Sequence, residues 1–229
     1  MKTIKILYFL TVVCLVLNYS CVGYRNIERN VRDNNIFYSS HYPKIDIKIN
    51  PDFKYIGKQE RAKHIKYTYA PGGSKVEANT YTFCQIGDNK IVKKGVLIGF
   101  YRISQGYWLP DLFSNVKNKL DSGSVKIKGK SYQYAVNAAA RFFPRDVKEA
   151  IYDRGYIISN CYLWKGLART VTRTEDTKTY IYYFEDIAYG DIKYGCGQWQ
   201  NATMLSDEQT VFLKEFIDRS EKNIQILGE

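Results

Sequence analysis

The sequence predicts an α+β fold, an antiparallel meander sheet with a C-terminal helix packed against it. The chain contains 21 tyrosines, and tyrosine favours pleated surfaces that bury the ring and leave the hydroxyl wet. Apolar and polar residues alternate in several short segments that are separated by turn residues, which is typical of half-buried strands. A capped, amphipathic helix follows Ser206. Hydrophobic residues make up 45% of the chain, enough to bury a core and to exclude intrinsic disorder.

The N-terminal segment has the composition of an export signal. Lys2 and Lys5 precede an apolar stretch at residues 6–17. This stretch is shorter than the roughly 20 residues that a membrane-spanning helix needs, and a basic start before a short apolar core is typical of a signal peptide. We therefore expect residues 1–20 to be removed on export.

The end of this signal resembles a bacterial lipobox. Residues 17–21 read LNYSC, so that a small residue stands just before Cys21. With residues 50–57, the strand at 183–186 and the helix after Ser206, the chain resembles uncharacterised bacterial lipoproteins. The resemblance implies acylation of Cys21 and a lipid anchor in the cell envelope, but it implies no activity and no catalytic residue. Val22 after the cysteine points by the same resemblance to the outer membrane, on its periplasmic side.

A second interpretation of this region stays open. The signal could be cleaved after Gly23, because Cys21 and Gly23 are both small residues, and the protein would then be freely secreted. In the first interpretation residues 21–43 are a lipidated N-terminus and a flexible tether, since Asn, Arg, Asp and Ser dominate them. Residues 44–229 then form a single α+β domain.

The first half of this domain reads as a meander of strands. Residues 44–49 alternate, and Phe53 to Ile56 restart extended structure that Gly57 is expected to end. Two longer strands follow at 76–86 and 91–103, and the residues between them suit a hairpin loop. Residues 111–120 carry apolar side chains three and four positions apart, which predicts a short helix.

The second half alternates between strand and helix. Residues 130–143 are ambiguous, because alanines that favour helix are interleaved with aromatic residues that favour strand. Pro144 begins a helix that Gly155 ends. Residues 156–171 and 178–187 form a second hairpin. Ser206 and Gln209 then make a capping box for a helix to about Lys222, before a terminal strand.

The cysteines leave one candidate pair and one free thiol. Cys84, Cys161 and Cys196 follow Cys21, and three cysteines allow at most one intrachain disulfide. Export places them where disulfides form. Spacing does not fix the pairing, but Cys161–Cys196 is the candidate, because Cys84 lies in an alternating strand as a small buried hydrophobe.

A search for chemistry finds no catalytic or metal-binding constellation in the sequence. His41 and His64 belong to no metal-spacing motif, and no phosphate loop or hydrolase signature is present. Glu185 and Asp186 are adjacent carboxylates, but neighbours on a strand point to opposite faces and would not converge. We expect no cofactor and no metal, and a non-enzymatic role rather than an enzyme.

Aromatic residues in loops are the remaining binding candidates. Tyr107, Trp108 and Trp199 lie in glycine-flanked segments, where exposed rings can anchor a partner. The alternative is that these rings seal the ends of the sheet.

The charge of the chain favours acidic partners. The formal net charge is +11, and signal removal takes away only Lys2 and Lys5. An acidic envelope polymer or another envelope protein fits this balance, as does the membrane reached through the lipid. Nucleic acid is not expected, because no binding motif is present. The sequence thus predicts a lipid-anchored envelope protein that acts as a binding or structural module, with a secreted hydrolase-like enzyme, an adhesin or a toxin-like factor as the alternatives.

Overall fold

A computed structural model describes residues 27–66, 73–103, 112–171, 177–187, 195–199 and 205–228 of the chain. These residues form eleven strands, two α-helices and two short 3-10 turns, and every pairing of the named strands is antiparallel. The predicted α+β fold with a C-terminal helix is therefore confirmed.

The larger sheet has seven strands. In chain order they are β4 (Lys54–Lys66), β5 (Gly73–Ile86), β6 (Val92–Ile103), β7 (Asp121–Ile127), β8 (Lys130–Ala139), β9 (Tyr162–Thr170) and β10 (Thr177–Asp186). Across the sheet the order is β4-β5-β6-β10-β9-β8-β7. Two meanders, β4–β6 and β7–β10, thus meet at the pairing of β6 with β10, where Tyr101 lies opposite Lys178.

The smaller sheet and the longer helix lie on one face of the large sheet. The small sheet consists of β1 (Arg29–Arg32), β2 (Ile36–Ser39), β3 (Ile45–Ile49) and β11 (Ile224–Gly228), in that order. The helix α2 (Asp207–Asn223) begins with the predicted Ser206–Gln209 capping box and runs directly into β11. On the opposite face lies α1 (Arg145–Tyr152), whose buried side chains are Val147 and Ile151.

The predicted flexible tether is wrong for the part that the structure describes. Residues 29–39 form β1 and β2, and Phe37 is 0% exposed. Its ring packs against Tyr81 at 4.7 Å and Phe100 at 5.7 Å between centroids. Polar residues that suggested a tether take part in this packing, since Ser39 is 0% exposed and the Arg29 guanidinium lies 3.8 Å from the centroid of the Phe100 ring, so the folded domain begins before residue 44. Residues 21–26 lie outside the described part of the chain.

Three glycines allow the aromatic side chains of β10 to lie flat across the neighbouring strands. Gly99 lies opposite Tyr180 and Gly166 lies opposite Tyr182. A Cβ on Gly99 would lie 1.8 Å from Tyr180 Cζ, and one on Gly166 would lie 2.6 Å from Tyr182 Cε1. The same relation holds for Gly95, whose Cβ would meet the ring of Phe184. Two tyrosines and one phenylalanine of β10 thus occupy space that a side chain at the paired glycine would fill.

Three local predictions are changed by the tertiary structure. Gly57 does not end a strand, because β4 continues through a bulge there with Gly57 at φ 140°. The described part of the segment 111–120 is a turn rather than a helix, because Phe113 buries its ring against Gly166 and Trp164. The ambiguous segment 130–143 is strand β8 up to Ala139, since its alternate residues face the two cores.

Candidate ligand cavity beneath the C-terminal helix

A cavity of about 550 Å³ lies between the C-terminal end of α2, β11 and the β7–β10 half of the large sheet. Its position follows from the different widths of the two sheets. Seven strands span roughly 29 Å and four strands roughly 14 Å, at about 4.8 Å between neighbours. The small sheet covers the β4–β6 half, and α2 with the 3-10 turn Cys196–Trp199 covers much of the rest. The cover therefore stops short of the β7 edge, and the space beneath it is the cavity.

The walls of the cavity are aliphatic. The helix and the terminal strand contribute Ile217, Ile224 and Ile226, and the floor of the sheet contributes Leu167 and Ile181. These residues are the inward members of their elements, because side chains on a strand alternate between its faces. The hydrophobic pattern that buries α2 and β11 thus also lines the cavity.

The mouth of the cavity opens beside the edge strand β7. Val125 lines it and is 37% exposed, which makes it one of the exposed large hydrophobic side chains of the described residues. Ser124 and Asp121 lie on the same strand. The Tyr134 hydroxyl donates to Asp121 Oδ1 at 3.3 Å, and burial, with the negative charge of Asp121, raises the pKa of Tyr134. One end of the mouth is therefore polar and already hydrogen-bonded.

A salt bridge crosses the rim between the sheet and the helix. Lys165 Nζ on β9 lies 2.9 Å from Glu221 Oε1 on α2, and both residues line the cavity. Their environments differ sharply, because the Lys165 side chain is 11% exposed and the Glu221 side chain is 68% exposed. The Lys165 ammonium group is thus largely enclosed, whereas the Glu221 carboxylate is largely exposed to solvent.

A buried polar network fixes α2 to the sheet behind the cavity. Arg219 Nε and Nη2 donate to the two carboxylate oxygens of Glu185, each at 2.9 Å, and Lys94 Nζ lies 3.5 Å from Glu185. The Tyr183 hydroxyl donates to Glu185 Oε1 at 2.5 Å and accepts from Asn223 at 3.2 Å. Burial raises the pKa of the Tyr183 hydroxyl, so it remains a hydrogen-bond donor. This bidentate pair sets the height of the helix above the sheet.

The structure joins Cys161 and Cys196 in a disulfide, which is the candidate pair of the sequence analysis. The bond ties the start of β9 to the 3-10 turn Cys196–Trp199. Trp199 follows on this turn and is 0% exposed, with its ring 5.7 Å from that of Phe212. The prediction of Trp199 as a binding aromatic is therefore wrong, because its ring is packed in the core. Tyr107, Trp108 and Cys21 lie outside the described residues.

The described titratable groups do not assemble a nucleophilic centre. Cys84 is fully buried on the α1 side of the sheet, and burial raises the pKa of its thiol, which keeps it protonated. His41 lies in the connection between β2 and β3 and His64 lies on β4, and no group of three metal-binding side chains occurs among the described residues. Glu185 pairs with α2, whereas Asp186 accepts from Ser159 Oγ at 2.6 Å. As predicted, the two carboxylates do not converge.

Sequence reasoning did not find the cavity, since its lining comes from six separate elements, β7 to β10, α2 and β11. The apolar residues of α2 and β11 were visible in the sequence, but they predicted only packing against the sheet. Within the described ranges, no helix is both long and apolar enough to cross a membrane. Comparison with known proteins gives no match: no family model, no curated protein and no solved structure is significantly similar to this chain.

Proposed function

We propose that this protein is an exported, lipid-anchored envelope protein, acylated at Cys21, whose domain is a non-enzymatic module that binds a small apolar molecule in the cavity beneath α2. The anchor places the domain at the outer membrane, on the periplasmic side. The observation that supports binding is the cavity itself. About 550 Å³ falls within the range of roughly 300–1,000 Å³ that ligand sites occupy, and aliphatic walls with a few polar groups at the rim are their usual lining.

The composition of the lining favours binding over catalysis. No cysteine or histidine is among the described residues that line the cavity. The polar side chains at the rim are engaged with each other, Tyr134 with Asp121 and Lys165 with Glu221. Such a lining gives affinity for an apolar molecule, because the surface of the molecule is removed from water when it enters the cavity. Of the two serines in the lining, Ser220 donates its hydroxyl to the Ile217 carbonyl at 2.6 Å and so is not held beside a base, as the nucleophile of covalent hydrolysis would be.

The charge of the whole chain supports an acidic neighbour in the envelope. The formal net charge is +11, so an anionic polymer or headgroup layer would attract the protein.

Ligand binding is tested by blocking the mouth of the cavity. A neutral naphthylamine dye, which fluoresces in apolar surroundings, is titrated into the purified domain. We expect saturable fluorescence for the natural chain and its loss in Val125→Trp, because the indole fills the mouth. Val211→Trp is the matched control, since Val211 is 57% exposed on α2 and does not line the cavity. Equal dye binding by both variants would refute the cavity as the binding site.

Acylation is tested by labelling the protein in a bacterial host with a radioactive fatty acid, beside Cys21→Ser. Label that is present in the natural chain and lost in the variant supports the anchor. An unlabelled protein whose mature N-terminus is Tyr24 refutes it, and would favour a freely secreted protein instead.

A further inference from the structure

The salt bridge at the rim has one buried end, the ammonium group of Lys165. Lys165 lies on β9 with its side chain directed into the face that the helix covers, and it is 11% exposed. A buried ammonium needs a partner, because its desolvation is costly. Among the described residues the hydrogen-bond and ion-pair partner of Lys165 Nζ is Glu221. The lysine thus depends on one carboxylate that stands mostly in water.

Glu221 is a partner that a ligand can replace. Its side chain is 68% exposed on the last turn of α2, where it can swing outward without any rearrangement of the backbone. The Glu221 carboxylate can therefore exchange the ammonium group for water at little cost, whereas the buried Lys165 needs another anion in its place. A ligand anion that reaches Lys165 from inside the cavity would form the same bond in a drier place, where a charge-assisted hydrogen bond is stronger.

The geometry joins this cation to an apolar chamber. Lys165 and Leu167 are on the same face of β9, and Ile181 lies beside Leu167 on the paired strand. A molecule with its anionic group on Lys165 would therefore lay an apolar tail over Leu167 and Ile181, beneath Ile217 and Ile226.

We propose that the cavity binds a single-chain amphiphile with an anionic head group, a fatty-acid carboxylate or a monoacyl phospholipid, with the head group on Lys165 in place of Glu221. This proposal rests on the binding function above and specifies its ligand. The two sources share the same chemistry, one hydrocarbon chain and one negative charge beside it. A neutral chain of the same length fits the walls but leaves the lysine paired with Glu221.

Two substitutions with opposite expected effects test the assignment. We expect dodecanoate to displace the neutral dye from the natural chain, and dodecanol to displace it more weakly. Lys165→Gln is expected to weaken dodecanoate binding about tenfold to hundredfold and to leave dodecanol binding unchanged. Glu221→Gln is expected to tighten dodecanoate binding severalfold, because the competing carboxylate is gone. Glu215→Gln is the control, since Glu215 is a 61% exposed carboxylate elsewhere on α2 that does not line the cavity.

The outcomes of these measurements distinguish recognition of an anion by Lys165 from binding of an apolar molecule in the cavity. Displacement by both amphiphiles to the same extent, with neither substitution changing it, overturns anion recognition while the cavity stands as a binding site. No dye binding, together with no rise in Tm on addition of dodecanoate, overturns both. Lys165→Gln could weaken binding by disturbing the fold. Glu221→Gln separates the two causes, because Glu221 is exposed and its substitution is expected to increase the affinity for dodecanoate. Comparing dodecanoate with monoacyl phosphatidylglycerol in the same assay then identifies the source of the head group.

Discussion

The two halves of the large sheet share one inner face but are covered in different ways. The β4–β6 half lies under the small sheet, where Phe37 fills the space between Tyr81 and Phe100. The β7–β10 half lies under α2, which is held by the Glu185–Arg219 pair and leaves about 550 Å³ unfilled. Strands on strands close a surface because their side chains interdigitate along the whole length. A helix that is held above the sheet by an ion pair, here Glu185–Arg219, covers the surface without filling the space beneath it.

The largest effect is expected where the packing is complete. Phe37→Ala removes a fully buried ring and should lower the free energy of unfolding by about 3–5 kcal/mol. Urea unfolding followed by circular dichroism measures this change. Tyr38→Ala, one residue along on the other side of β2, is the matched control and should cost clearly less. Similar losses in the two variants would show that the small sheet is not tightly packed on the large one.

The second largest loss of stability is expected at the Glu185–Arg219 ion pair. Glu185→Gln removes the buried carboxylate that accepts from the half-buried Arg219, and the loss of charge-assisted hydrogen bonds of this kind costs about 1.5–3 kcal/mol. Amide hydrogen exchange should show faster exchange along α2, while β1–β3 keep their protection. Glu215→Gln, which removes the exposed carboxylate beside the same arginine, is the control. Unchanged protection in α2 after Glu185→Gln would mean that apolar contacts alone hold the helix.

A smaller loss is expected at the seam between the two halves. Gly99→Ala places a methyl group 1.8 Å from the ring of Tyr180, which must shift, and overpacking of this kind costs about 1–3 kcal/mol. Gly129→Ala is an instructive comparison, because nothing lies within 4 Å of its Cβ position, although its φ of 77° adds backbone strain. Thermal unfolding measures both. A neutral result for Gly99→Ala would show that the ring of Tyr180 has another position available.

The smallest effect is expected at the cavity wall. Ile217→Ala removes side-chain atoms that already face open space, so the residual-cavity penalty is small and the loss should be about 1 kcal/mol or less. Leu213→Ala, one turn earlier in the packed part of α2, should cost about 2–5 kcal/mol by the same measurement. Equal losses would indicate that the space beneath α2 is filled in solution.

Local chemistry in the sequence was sufficient to predict single elements. The Ser206–Gln209 capping box, the turn between β5 and β6 and the strand that follows α2 all depend on residues a few positions apart. The α+β class follows from these elements, because a sheet with an apolar face needs a cover. The candidate Cys161–Cys196 bond followed from the odd number of cysteines and the apolar surroundings of Cys84.

Features that depend on distant contacts were beyond the sequence. The strands β1 and β2 look polar in isolation and are held in place by Phe37 against residues far along the chain. Trp199 looked like an exposed loop aromatic, but the disulfide folds its turn into the core. The cavity depends on how far α2 and the small sheet extend over the larger one, which no local pattern encodes.

The order of strands in the large sheet also determines when the protein can fold. The first meander, β4–β6, has apolar side chains on both faces, and β6 meets its second neighbour only when β10 has been made. The small sheet closes later still, because β3 pairs with β11 at the far end of the chain. Contacts of such high sequence separation carry a large loop-closure cost, and proteins dominated by them fold in milliseconds to seconds. A nascent chain therefore leaves the apolar side chains of β6 and β3 without their second neighbours until β10 and β11 have been made.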